Sequence, residues 1–534
     1  MLLLLYAALA GYFYSFSHYG LNLWDEGGFA NGTLRTLNGQ QALVDFNPNG
    51  YLPGRYIYGA VFFKLFGVDL QSLRLGVILF TPAMIFMVYA AARKIMPPGF
   101  AFLAAAFMFS APSMYYNRFF TFFTVLNLFC VIRAVEKKRL QDLILLAGSI
   151  LTAGFFKFEI ALITVVIGLT VTGILAAQRI GRKNPPLKKE PDAQAFSSAS
   201  ERALWISGIF LAAAFAAAMI YFLQHDYFAK VLQLVVEAHS VWGNPFPEIL
   251  PFAPLLAKLG AHEMFQRVLF YLPLWTYGLC GLILLLRLIR ARPDIANEDL
   301  FLLVILSFGI CVFGLVIWRA GFDNLLRTLP PFYILFCYLL YLAREQVLRL
   351  LLFSVNVAGS ALAYKKIPVN VLTVFFPFIF FYEMNVHHGF YAGTIGAMKQ
   401  ETQRVRLNRL SVYTNAAEAG WLKEVVDRIE IYTDRGDPIL ALPLNPIFYF
   451  LTDRVNPTQY DWILPGMLKP DEEKKVVEQL QNNKPKMVIF VDIPIDGKEE
   501  RRLANYAPQI YRFLLDHYQF DEMIGLFQIL LPKK

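Results

Sequence analysis

Apolar residues fall along this chain in long blocks broken by short polar stretches, and the blocks have the length of membrane-spanning helices. They predict spans at 1–17, 72–92, 100–117, 119–134, 141–156, 160–177, 204–223, 268–286, 300–318, 328–343 and 367–384. The first block lacks a basic n-region and an A-x-A-like cleavage site, so it is expected to remain as a helix. The stretch 350–364, "LLLFSVNVAGSALAY", is short for a span and has basic residues at both ends. It reads as an interfacial or re-entrant piece; if it crosses instead, everything after it changes sides. After about residue 395 the pattern shortens. "WLKEVVDRIEIY" and "DEEKKVVEQLQ" have helical periodicity, whereas "PILALP", "KMVIFVD" and "IGLFQILL" are short apolar runs bounded by Pro, Asp and Gly, as buried strands are.

The expected architecture is therefore a mostly α polytopic membrane protein of about eleven helices over 1–394, followed by a small α/β domain over 395–534. Basic residues orient it. Arg93 and Lys94, Arg133 with Lys137 to Arg139, Arg179 to Lys189, Arg287 to Arg292, and Arg344 to Lys366 occupy every second connection, which the positive-inside rule places in the cytoplasm. The outer loop 18–71 and the C-terminal domain then face the other side of an inner (plasma) membrane. The loop 181–200, polar and proline-bearing, reads as a cytoplasmic linker.

Composition agrees. Of 534 residues, 57% are hydrophobic and 17% charged, which is too apolar for a soluble globular chain of this length. The net charge of +9 resides between the apolar blocks and points to orientation signals, not to nucleic acid. Four cysteines inside apolar blocks, at no metal-ligand spacing, read as small buried hydrophobes.

The first outer loop carries the most chemistry. It opens on "NLWDEGGFAN", with Asp25 and Glu26 adjacent, and continues with Asp45, Arg55 and Lys64 in an aromatic, amphipathic setting, "YLPGRYIYGAVFFKLFG". Neighbours on a helix do not share a face, so one carboxylate can face a cavity while the other caps the helix or meets a cation. Equally, both can simply cap an exposed helix start. No Gly-rich phosphate loop, no D-x-D in the outer loops and no H-E-x-x-H spacing occurs, so neither a metal nor a cofactor is expected.

Taken together, "WDEGGFANGTLRTLNGQQALVDFNPN", "YLPGRYIYGAVFFKLFG" and "LQSLRLGVILF" resemble the GT-C glycosyltransferases, in the protein-mannosyltransferase-like and aminoarabinose-transferase-like branch. Asp25 and Glu26 stand at that pattern's acidic motif. Asp45 and Phe46 occupy its r-D-f, Tyr51, Pro53, Gly54 and Tyr56 its Y-x-P-G-x-Y helix, and Gly67 and Arg74 its G-x6-R. "FFKFEIAL" is similar to a Lys-x-acidic motif of bacterial members, "LLRTLPPFYILF" to an Arg-x-x-x-Pro entry to a late span, and "NPIFYFLTDRVNPTQYDWILPG" to a stretch of their C-terminal outer domain. One departure concerns the second outer loop, where "YYNRFFTFFT" has Thr121 and Thr124 in place of a second acid; Asp45 or Glu159 then supplies that charge, or the site works with one.

The resemblance implies transfer of a hexose or pentose from a polyprenyl-phosphate carrier to an acceptor outside the cytoplasm, whether lipid, glycan or protein. An attacking hydroxyl needs a base, and Asp25, with Glu26 beside it, is the candidate. The departing lipid phosphate needs fixed cations, for which Arg55, Lys64, Arg118, Lys157, Arg319 and Arg327 are candidates, Lys157 and Arg327 foremost. Each of these can instead snorkel to headgroups. His239 is a candidate acceptor contact. A polytopic transporter or lipid-linked-sugar flippase would also use many spans and charged outer loops, although few ionisable residues lie near span centres.

Overall fold

The computed structural model describes residues 1–48, 51–110, 113–181, 213, 216, 220, 260–290, 296–317, 319–356, 375, 377–384 and 395–534. Most of the expected span 204–223 and all of 357–374 lie outside them, as does His239.

The helices of the first half are α1 (Leu2–Ser15), α2 (Asp25–Leu37), α3 (Pro53–Phe66), α4 (Leu70–Ile78), α5 (Phe80–Ala92), α6 (Pro98–Ser110), α7 (Arg118–Lys137), α8 (Leu140–Phe156) and α9 (Phe158–Gly181). They are followed by α10 (Ala261–Arg290), α11 (Asn297–Ile317), α12 (Phe322–Leu326) and α13 (Pro330–Asn356). The C-terminal part contains β1 (Gln403–Leu407), β2 (Leu410–Thr414), α14 (Ala416–Tyr432), β3 (Leu440–Leu442), α15 (Ile447–Thr452), α16 (Pro470–Asn482), β4 (Val488–Phe490), α17 (Pro508–His517), β5 (Tyr518–Ile524) and β6 (Phe527–Pro532).

Five helical stretches among the described residues are long and apolar enough to cross a membrane: Leu70–Ala92, Tyr115–Lys137, Phe158–Gln178, Glu263–Arg290 and Asn297–Ile317. The chain is thus a mostly helical, multi-pass membrane protein. Two expectations differ from what is seen. Helix α6 ends at Ser110, short of 117. Helix α13 continues through Asn356 instead of stopping at 343, so the first residues of 350–364 prolong a helix. Arg344, Glu345 and Arg349 suggest a span end by charge, but no Gly or Pro interrupts the backbone between Pro331 and Asn356, and charged residues are good helix formers.

The chain divides into two compact units. One comprises Met1–Tyr6, Phe80–Ile220 and Asn244–His388, through its described residues. Its helices pack by aromatic contacts, since Phe80 stacks on Phe122 at 4.2 Å and Phe107 on Tyr333 at 5.5 Å between ring centroids. Polar pairs join its helices as well: the Ser149 hydroxyl of α8 donates to Asn127 of α7 at 2.7 Å, and Arg287 of α10 meets Asp299 of α11 at 3.0 Å. Cys130, Cys280 and Cys337 are buried free thiols.

The second unit comprises Ala7–Leu79, Tyr221–Gly243 and Gly389–Lys534, again through its described residues. Strands run in the order β3-β4-β6-β5, with β3 and β4 parallel and the other two pairings antiparallel. Leu440, Val488 and Leu530 of the sheet meet Val476 and Leu480 of α16 and Ile510 and Phe513 of α17 in one apolar core. Strands β1 and β2 form a separate antiparallel hairpin. The first-loop segment packs into this unit: the Tyr413 amide donates to the His18 carbonyl, Gly20 donates to Tyr413 in return, and the Asn47 amide donates to Gln459.

Candidate active site

In the second unit, α2 starts with both acids of the "WDEGG" motif in its first turn. Asn22 organises that start, because its side-chain oxygen accepts the Trp24 and Asp25 amides at 3.0 and 2.8 Å. The two carboxylates then diverge. Glu26 turns inward, 2% exposed, onto Arg74 of α4, which is 1% exposed. Arg74 Nε and Nη2 donate to the two Glu26 oxygens at 2.8 and 2.6 Å, a bidentate pair. The same guanidinium donates to the Ser17 and Gly20 carbonyls at 2.5 and 2.8 Å, pinning the chain that leads into α2. Asp25 stays half-buried, its carboxylate accepting from the Asn22 amide group at 3.3 Å. A negative side chain in the first turn is also favoured by the helix dipole.

The glycines after the acid pair admit the C-terminal segment. A Cβ on Gly27 would stand 2.8 Å from Ile447, and one on Gly28 would stand 2.7 Å from the Trp462 ring. Further along α2, Asp461 receives Asn31 Nδ2 and Arg35 Nη1, both at 2.9 Å, and is itself 3% exposed. Asn456 donates to the same carboxylate at 3.1 Å. Arg35 lies over the Phe46 ring at 4.7 Å and donates to the Asp45 carbonyl at 3.2 Å. The exposed Asp45 carboxylate accepts the Gln41 amide at 2.7 Å, a local turn contact.

Arg55, in the first turn of α3, is 2% exposed. Its guanidinium lies 3.7 Å from the Tyr51 ring centroid, 4.4 Å from Phe29 and 5.4 Å from Tyr56. None of its three nitrogens has a hydrogen-bond partner among the described residues, so ring faces are its surroundings. Lys64, in the last turn of α3, is exposed.

The first unit gathers three of the other cations about the head of α7. Arg118 is completely buried, donates from Nε to the Ser113 carbonyl at 3.0 Å, and lies 4.4 Å from the Tyr115 ring. Arg327, after α12, donates to the buried Asn117 side chain at 3.2 Å and lies over Phe120 at 4.9 Å. Thr121 donates to the Ser113 hydroxyl at 2.9 Å, so the position at which the resemblance leads to an expected second acid holds a neutral contact. Lys157, 7% exposed, sits at the joint between α8 and α9 with Glu159 3.7 Å away. The adjacent Phe156 ring stacks on Phe119 at 5.3 Å, which brings that joint to the start of α7. Arg319 is exposed. Two buried cations and a half-buried third near a helix N-terminus are suited to an anion with several oxygens.

The sequence places Arg74 in a motif without indicating its partner, and Asn22, Asn31, Asn117 and Asp461 are outside the predicted site. Asp461 lies inside the "YDWILPG" stretch, whose resemblance to the C-terminal outer domain is the signal for it.

Several carboxyls of the second unit titrate away from their ordinary range, and two of them, Glu401 and Glu418, influence each other. Burial raises the Glu401 pKa above 4.5, against hydrogen bonds from Thr414 and Asn415. Burial likewise raises Glu418, assisted by the charges of Glu401 and Glu26 and opposed by the Thr414 hydroxyl, which donates to it. Raised carboxyl pKa values mean that the folded state holds more protons than the unfolded state just above pH 4.5. Their contribution to stability is therefore greatest at low pH and declines as pH rises through the folded values. Unfolding midpoints of the wild type minus those of Glu418→Gln, compared at about pH 5 and about pH 7, are expected to fall with rising pH. A flat difference would contradict the assignment.

A comparison with curated proteins finds no match. Among solved structures, the chain is similar to ArnT from Cupriavidus metallidurans in the apo state, with 14% identity, 99% of this chain and 97% of that chain covered and a TM-score of 0.49. It is similar to the same protein bound to undecaprenyl phosphate, with 13% identity, 99% and 97% covered and a TM-score of 0.48. A third is the archaeal oligosaccharyltransferase AglB from Archaeoglobus fulgidus in complex with an inhibitory peptide and a dolichol-phosphate, with 11% identity, 98% and 74% covered and a TM-score of 0.47. Residues 54–187 match the family model for dolichyl-phosphate-mannose-protein mannosyltransferase, a stretch that opens on the Gly54–Tyr56 helix start and takes in Arg74, Arg118 and the Lys157-x-Glu159 motif, so over this stretch the chain is similar to that family, as its motifs imply.

Proposed function

We propose that the protein is an integral-membrane glycosyltransferase that moves a sugar from a polyprenyl-phosphate carrier to an extracytoplasmic acceptor. The observation that carries this reading is the family-model match over 54–187, because that stretch includes Arg55, Arg118, Lys157 and Glu159. In a donor of that family's kind, the bond that breaks joins the anomeric carbon to a phosphate oxygen. The acceptor oxygen forms the new bond to that carbon, its proton passes to a base, and the electron pair of the broken bond leaves with the lipid phosphate.

Asp25 is assigned the base, being half-buried in the first turn of α2. Glu26 is a positioning residue: its charge is taken up by Arg74, and the pair fixes the turn that carries Asp25. Arg118, Arg327 and Lys157 are assigned the phosphate, each buried or half-buried so that its attraction is less screened than at an open surface. Arg55 is assigned to the same chemistry, with Lys64, Arg319, Asp45 and Glu159 as outlying charges and His239 as an acceptor contact. The loop 18–71 and residues 395–534 are assigned to the extracytoplasmic side of the inner membrane, the latter as a small α/β domain.

Arg327→Ala or Lys157→Ala is expected to raise the KM for a polyprenyl-phosphate sugar by about ten- to a hundredfold, the worth of one charge-assisted hydrogen bond, with a smaller change in kcat. Steady-state kinetics in lipid checks this. Unchanged KM in both variants would remove them from the phosphate site.

A further inference from the structure

The first unit has a second charged feature, at the opposite ends of α5 and α7 from the head of α7. A cavity of about 280 Å³ opens there, with Arg93, Lys94, Arg133, Glu136 and Lys137 on its wall. Phe129 and Ile132 of α7 give it an apolar lining. Both helices belong to stretches able to cross a membrane, so the cavity stands where a span meets headgroups.

The charges do not cancel. Lys94 and Lys137 share one carboxylate, Glu136, at 2.6 and 4.0 Å. Arg133 is paired with Asp142 of α8. Arg93 has a backbone contact, Nη1 donating to the Met96 carbonyl at 2.9 Å. Four cations thus face two carboxylates, and the negative ends of two helices add only about half a charge each. The balance stays positive. Snorkelling side chains also put cations at span ends, but they need no cavity with an apolar wall.

We propose that this cavity is a binding site for a phosphodiester-bearing anion, held in place as the headgroup of an anionic membrane phospholipid. The cations take the phosphate, and Phe129 and Ile132 meet the glycerol and upper acyl carbons. Basic pockets between spanning helices bind such headgroups by the same physics. The proposal does not depend on the transferase reading, since the site is separate from every residue assigned to it.

The test is native mass spectrometry of delipidated full-length protein titrated with phosphatidylglycerol, phosphatidylcholine or inorganic phosphate. Phosphatidylglycerol is expected to bind at least about tenfold more tightly than phosphatidylcholine. Arg93→Gln and Lys137→Gln should each weaken it about fivefold, and Arg93→Lys should restore most of the loss. Glu136→Gln should tighten it, a gain that misfolding cannot produce. Equal retention of the two lipids, or Glu136→Gln and Arg93→Gln both without effect, overturns the proposal. Occupancy by inorganic phosphate with no preference between lipids assigns the cavity to a free anion and overturns the lipid reading.

Discussion

Arg74→Met is expected to destabilise the folded protein by about 3–5 kcal/mol, the range seen when one partner of a buried ion pair is removed. The substitution leaves Glu26, 2% exposed, with its charge uncompensated, and it strands the Ser17 and Gly20 carbonyls that the guanidinium also holds. Glu26→Gln should cost less, because an amide keeps one acceptor for Arg74 and is cheaper to bury than a carboxylate without its partner. In the double variant the two losses should not add, since neither buried charge is then left alone. Denaturant titration of the four proteins in detergent reads the cycle. A loss under about 1 kcal/mol in Arg74→Met would mean that the pair does not organise the start of α2.

Asp25→Asn is expected to lower turnover by about 10²- to 10⁴-fold with little change in unfolding. The isostere keeps the volume of a half-buried side chain and can still meet Asn22, but it cannot accept a proton. Stability separates the neighbouring acids: Glu26→Gln should reduce activity together with stability, and Asp25→Asn should reduce activity alone. Full activity in Asp25→Asn would remove it as the base.

Much of this arrangement is legible in the sequence. Helix α7 runs Arg118–Lys137 where the apolar block predicts 119–134, and α8 runs Leu140–Phe156 where it predicts 141–156. Those limits are legible because basic residues and a change of hydrophobicity coincide there. At α13 they do not coincide: charges arrive at Arg344 while the backbone stays helical to Asn356, so charge alone does not mark the helix end. The divergence of Asp25 and Glu26 follows from helical geometry, but the partner of Glu26 lies 48 positions away and no periodicity encodes it. Asp461 stands 430 residues from Asn31. Such pairings depend on tertiary packing, which a motif hints at only by containing the residue. Asn117 is illegible for another reason, being a small neutral side chain in an aromatic stretch that holds Arg327, and Arg118 is held by the backbone carbonyl of Ser113, which no residue type encodes.

Use of a polyprenyl-phosphate sugar is read by release of free polyprenyl phosphate. Purified wild type and Asp25→Asn in lipid would be given a panel of polyprenyl-phosphate sugars, with a crude membrane extract as the source of acceptor. Release from at least one donor by the wild type is expected, with a loss of about 10²-fold or more in Asp25→Asn. No release from any donor by folded wild-type protein would contradict the transferase function.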